Sequence, residues 1–146
     1  RARFRHKRHN NTLHGINMPH ITANRVLETS TTTGTGDITT TAAVTGFIRI
    51  SATTQIDGTA IASGCTFKYS LWGVDASGVP TGEWENGLGT YGAANVFART
   101  RIEGSSNSGS VVTLSAGTKY VAMSLLVADI PTYGQIQAYA NGQFSL

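Results

Sequence analysis

The chain has no helical period. No window of eleven or more residues keeps apolar side chains at i, i+3, i+4 and i+7, whereas several short segments alternate apolar and polar residues strictly. In Lys119 to Val127 the residues Val121, Met123, Leu125 and Val127 share one parity, and Phe67, Tyr69 and Leu71 form a similar row with Lys68 and Ser70 opposed to it. Period-2 patterning puts one parity against a core and the other toward water, so Tyr69, Met123 and Leu125 are expected to be almost fully buried. Phe47, Ile48 and Ile50 begin another such row. Strands are expected near residues 25–31, 36–41, 44–51, 66–73, 82–91, 96–103, 110–114, 119–127 and 134–140. Turns fall between them at Asp57-Gly58, Ser77-Gly78, Ser108-Gly109, Ala116-Gly117 and Asn141-Gly142. The threonine-rich stretch 29–42 reads as a hairpin centred on Gly34-Thr35-Gly36, because threonine is a good strand former. The pattern is that of an all-β chain, an antiparallel β-sandwich of jelly-roll-like form.

At 146 residues the chain is one ordinary domain, long enough to bury a core without staples. Its single cysteine, Cys65, stands outside any metal-ligand spacing and reads as a small buried hydrophobe. No apolar run reaches the length of a spanning helix, and no membrane partner is expected. The net charge of +3 is unevenly spread. Arg1, Arg3, Arg5, Lys7 and Arg8 supply five of the eleven basic residues in a basic N-terminal arm, and the four histidines, His6, His9, His14 and His20, lie in the first twenty residues. The domain boundaries read as an arm over 1–23, a β-domain over 24–127 and a C-terminal extension over 128–146, the last serving as an edge strand or an inter-subunit strap.

Candidate chemistry is sparse. Glu83 and Glu85 flank Trp84, so on a strand the carboxylates share a face and Trp84 takes the other. Two carboxylates on neighbouring positions can serve a retaining glycosidase, but that role needs a cleft and a perturbed pKa, and strand carboxylates more often face solvent or pair with cross-strand arginines such as Arg99 or Arg101. Gly34-Thr35-Gly36 lacks the third glycine and the following helix of a nucleotide loop, and Gly87-Leu88-Gly89 reads instead as a bulge or a close backbone approach. Every histidine is in the first twenty residues, away from any Gly-x-Ser-x-Gly elbow. The expectation is no enzyme, no catalytic residue, no metal site and no cofactor. Trp72, Trp84 and Tyr133 are the candidates for stacking on sugars.

Arg25-Val26-Leu27-Glu28-Thr29-Ser30-Thr31-Thr32-Thr33-Gly34-Thr35-Gly36, Ala43-Val44-Thr45-Gly46-Phe47, Glu83-Trp84-Glu85-Asn86-Gly87-Leu88-Gly89-Thr90-Tyr91, Arg99-Thr100, Ser105-Ser106-Asn107 and Ser115-Ala116-Gly117-Thr118-Lys119 follow one another in this order. Their order and spacing resemble a small module of tailed-phage virion structural proteins, over roughly Asn24 to Val127. Against that pattern Asn86 stands where valine is usual, Phe97 where leucine is usual, and Arg101-Ile102-Glu103-Gly104 replaces a more neutral stretch, a cluster able to retune a contact surface. Met18-Pro19-His20-Ile21-Thr22-Ala23-Asn24 looks like the start of family members, which would make residues 1–17 an extension peculiar to this chain, the product of an unusual start site, or a tag. The resemblance implies a non-enzymatic virion protein, foremost a capsid decoration (cement) protein on the outside of the head. Its partners would be the major capsid protein and copies of itself, as a homo-oligomer within an icosahedral assembly, and not nucleic acid. The arm residues Arg1, Arg3, Arg5, Lys7 and Arg8 would bind the capsid, with Trp84, Glu83, Glu85, Arg99, Arg101 and Tyr133 as further interface candidates. The alternatives are a tail or head-fibre component that binds host surface glycans and a small-virus coat protein whose arm holds the genome.

Overall fold

A computed structural model describes residues 19–54, 58 and 60–124. Among the described residues six strands form: β1 (Leu27–Ser30), β2 (Ile38–Ala43), β3 (Thr66–Val74), β4 (Pro80–Tyr91), β5 (Val96–Ser105) and β6 (Thr118–Met123). The chain is all-β and every strand pair is antiparallel, as the alternation predicts. The pairings run β1-β2-β5-β4-β3-β6 and return to β1, where Leu27 faces Ala122 and Ser30 faces Lys119. Closing the ring gives the first and last strands partners on both sides, which removes the edge along which sheets aggregate. Period-2 patterning does not encode that closure.

The parity rows point as expected where the structure describes them. Phe67, Tyr69, Leu71, Val121 and Met123 are buried, joined by Ile38, Ile50 and Phe97; Leu125 and Val127 lie outside the described residues. Phe97 packs edge-on against Phe67 and tilted against Tyr69, both with ring centroids 5.1 Å apart. Opposite these rings β4 carries Gly87 and Gly89. A Cβ on Gly89 would lie 2.9 Å from Phe97 Cδ2, and one on Gly87 would lie 2.3 Å from the backbone oxygen of Arg101. The β4–β5 register shifts at both glycines, so the expected bulge is present and serves to admit the aromatic core. Cys65 is buried and free, with its sulfur 3.3 Å from the Ala62 amide.

Two expected strands do not form. Residues 44–51 turn instead, because Gly46 adopts a left-handed φ of 85° and Arg25 Nη2 holds its carbonyl at 2.6 Å. A 3₁₀ turn at Ile50–Ala52 follows, so Ile50 enters the core while Phe47 and Ile48 stay 41% and 43% exposed. The segment 110–114 is irregular, held by one bridge between Leu114 and Gly34, yet Val112 and Leu114 reach the core. The expected strand at 134–140 lies outside the described residues. The β3–β4 hairpin turns where expected: Asp75 Oδ1 accepts from the amides of Ser77 at 2.8 Å and Val79 at 2.9 Å. The Thr-rich hairpin also forms, with Ser30 opposite Thr40 across β1 and β2.

Candidate functional site

Along β4 the inward positions are Glu85, Gly87, Gly89 and Tyr91, and Trp84 takes the outward parity. Glu85 is therefore drawn into the barrel, fully buried, beside Arg99 on β5, whose side chain is 3% exposed. The pair is bidentate: Arg99 Nε donates to Glu85 Oε1 at 2.8 Å and Nη2 to Oε2 at 2.5 Å. Tyr69 donates its hydroxyl to Oε1 at 2.6 Å, and the Val112 amide donates to Oε2 at 2.8 Å. Arg99 closes the cluster by donating to the carbonyls of Val112 at 2.7 Å and Gly34 at 3.3 Å. Burial acts to raise the Glu85 pKa, but the hydrogen bonds from Arg99, Tyr69 and Val112 outweigh it and hold the carboxyl below the usual glutamate range. Burial, reinforced by the Glu85 carboxylate, pushes the Tyr69 hydroxyl far above the usual tyrosine range. With both oxygens engaged and no proton to give at neutral pH, Glu85 is a structural anion that ties β3, β4, β5 and the 110–114 segment together. Removing only the hydroxyl in Tyr69→Phe leaves Arg99 and Val112 on the carboxylate, so it should cost about 1 kcal/mol in urea denaturation.

Other residues of the resemblance motif are consumed in the same way. Glu28, fully buried on β1, accepts from Arg49 Nε at 2.9 Å and from the Ile50 amide at 2.8 Å. Lys119 on β6 is buried and donates to the carbonyls of Ser115 and Gly117, and burial pushes its ammonium below the usual lysine range against the pull of the Glu83 carboxylate. Glu83 is half-buried on the inward parity and accepts from the Ser115 amide at 2.9 Å. Ser105 bonds the Ser110 carbonyl at 2.6 Å.

These positions correct one expectation. Glu85 and Arg99, read as candidates for a contact surface, are inside the barrel, because their strand parity is that of the aromatic core and each neutralises the other there. Arg101 does reach the surface and pairs with Glu103, which Lys68 also contacts. The arm residues Arg1, Arg3, Arg5, Lys7 and Arg8, and Tyr133, lie outside the described residues.

The outer wall carries what remains. Trp84 is 41% exposed. It is the cross-strand partner of Trp72 on β3, and Trp72 is in turn the partner of Tyr120 on β6. Trp72 and Tyr120 meet edge-on with centroids 5.8 Å apart. Trp84 leans the other way, over β5, where a Cβ on Gly104 would sit 3.5 Å from its ring. One step along the strands runs a row of small or polar residues, Ala122, Ser70, Asn86 and Gly104, aligned by the same registers. Ser70 and Ser124 share a 2.8 Å hydroxyl contact, and Ser106 Oγ takes the Trp84 amide at 3.2 Å. Sequence reading named both tryptophans but not Tyr120 as their neighbour or Asn86 as the polar group between them. Parity alone could have placed all four on one face; the alignment across strands needed the length of the β3–β4 turn. Comparison with known protein families, with characterised proteins and with solved structures gives no match.

Proposed function

We propose that this chain is a structural protein of a tailed-phage virion, acting as a capsid decoration protein that clamps major capsid subunits on the outside of the head. The observation that carries the reading is where the motif residues fall. Glu28, Glu85, Gly87, Gly89, Arg99, Ser105 and Lys119 all sit at positions that build the barrel, so the resemblance lies in the pattern that specifies the fold and not in scattered surface matches. The chemistry-bearing side chains of that pattern are engaged internally, and the outer wall offers area instead: exposed Thr31, Thr33, Thr35, Thr39 and Thr41 along the first hairpin, and aromatic rings on the opposite strands. Many weak contacts of this kind multiply when symmetry repeats them over a shell. In this reading the basic arm and the C-terminal extension act as straps across neighbouring subunits.

The test is recruitment to preformed, DNA-free heads. Full-length chain should bind at a copy number set by the capsid lattice, and deleting residues 1–17 should weaken binding in a salt-sensitive way, because surface charge pairs are screened over roughly 8–10 Å at physiological ionic strength. Nuclease treatment should change nothing. Binding only in a few copies at the tail, or binding abolished by nuclease, overturns the reading.

A further inference from the structure

We infer that the outer face of β6, β3 and β4 is a binding platform for a chain of neutral sugars, centred on Trp72 and Trp84. Three aromatic side chains, Tyr120, Trp72 and Trp84, stand side by side in one register row. The row spans three strands, about 10 Å at the usual strand spacing of about 4.8 Å. The Trp72 and Tyr120 ring centroids are 5.8 Å apart, about the length of one pyranose unit, and the Trp84 ring extends the row over β5. Directly beside them lies the row Ala122, Ser70, Asn86 and Gly104, so the rings stand above a floor of small residues, with hydroxyls and an amide within reach. That combination matches a pyranose, whose C–H face stacks on an aromatic ring while its equatorial hydroxyls take hydrogen bonds at the rim. The Trp84 ring lies over Gly104 of β5, 3.5 Å from where a Cβ would stand there.

The platform is uncharged. Neither row contains Lys, Arg, Asp or Glu, since the parity that turns Trp84 outward turns Glu83 and Glu85 inward. On the outer face of β3 the nearest cation is Lys68, four residues from Trp72 and engaged with Glu103. One row further, where Lys68, Leu88 and Arg101 align, Lys68 and Arg101 both pair with Glu103, so the charges bordering the platform are already matched and the two rows themselves offer an acidic sugar no cation. The chemistry selects a neutral hexose chain. The inference does not depend on attachment to a capsid, and its test is separate from the shell experiment.

The chain has two tryptophans, so its indole N–H groups give two resolved nuclear magnetic resonance signals. Full-length protein would be titrated with cellohexaose, laminarihexaose and mannohexaose, and with an oligogalacturonate hexamer as the charged control. At least one neutral hexasaccharide should shift both indole signals saturably, and the charged hexamer should not. Trp84→Ala should weaken that binding about ten-fold or more, the scale of a lost aromatic stack, and Asn86→Val several-fold, the scale of one lost hydrogen bond. Phe47→Ala, an exposed aromatic on the β2–β3 connection, should leave it unchanged. Unchanged dispersion of the core Tyr69 and Val121 signals would show that each variant is folded. The inference is overturned if no neutral hexasaccharide moves either indole, if the charged hexamer binds as well, or if folded Trp84→Ala binds as tightly as the parent.

Discussion

Glu85→Ala is expected to lower stability by about 3–5 kcal/mol, because it removes one partner of a buried ion pair and leaves the other inside. Arg99 would retain only the Val112 and Gly34 carbonyls, while the Tyr69 hydroxyl and the Val112 amide would each lose an acceptor. Urea midpoints at neutral pH measure the loss. Replacing both partners at once, as Glu85→Leu with Arg99→Met, should cost less than Glu85→Ala alone, since no buried charge is then left unpaired; a larger loss in the double variant would contradict this account. The same cluster sets an acid limit. The folded-state pKa of Glu85 is depressed, so its contribution is present above the ordinary glutamate value of 4.5 and is lost as pH falls from there through the lower folded value. Stability of the parent should therefore hold from neutral pH to about 4.5 and then decline, and Glu85→Gln should flatten that decline. Part of the slope should survive in Glu85→Gln, because Glu103 is shifted in the same direction: Lys68 and Arg101 outweigh its burial.

Gly87→Ala should be nearly as damaging, at about 3 kcal/mol or more, and should exceed Gly89→Ala at about 1–3 kcal/mol. The chemical change is one methyl group in both. The difference lies in what it meets: a backbone oxygen 2.3 Å away at Gly87, and a Phe97 ring edge at 2.9 Å at Gly89. A ring can rotate or shift by a few tenths of an ångström, whereas the Arg101 carbonyl moves only if the β4–β5 bulge moves with it. Thermal melts of the two variants check the order, and a Gly89→Ala variant less stable than Gly87→Ala would show that the rings and not the bulge are the rigid element.

Alternation made β3, β4, β5 and β6 legible, together with the opposite facing of Trp84 against Glu83 and Glu85. It did not say which side was inside at Glu85. The usual rule sends carboxylates outward, and the rule failed because Arg99 arrives on the neighbouring strand with the same inward parity and pairs with the carboxylate there. The register that makes this possible is a property of two strands and their bulges. At Phe47 and Ile48 the local apolar run suggested a strand, but a turn won because Gly46 and the Arg25 side chain close it. The pairing of β1 with β6 joins segments far apart in the chain, and nothing in either segment names the other. The aromatic row was half legible for the same reason: each ring could be assigned a face, but their alignment depends on how the hairpin at 75–79 sets Trp72 against Trp84.

The closure of the ring also gives the barrel two unlike ends. Leu27 opens β1 beside Ala122 near the close of β6, and the stretch leading into β1 is tied to the same end, where the Ile21 amide bonds the Thr66 carbonyl. The polypeptide thus enters and leaves at one rim, while Ser77 and Gly78 turn at the other, beyond the pairing of Val74 with Pro80. With both ends of the described segment at one rim, the far rim and the wall between carry no chain entry among the described residues. The same wiring suits the segment 19–124 to circular permutation, with its two ends joined beside Thr66 and Lys68 and new termini at the hairpin, because no strand pairing has to be broken to move them.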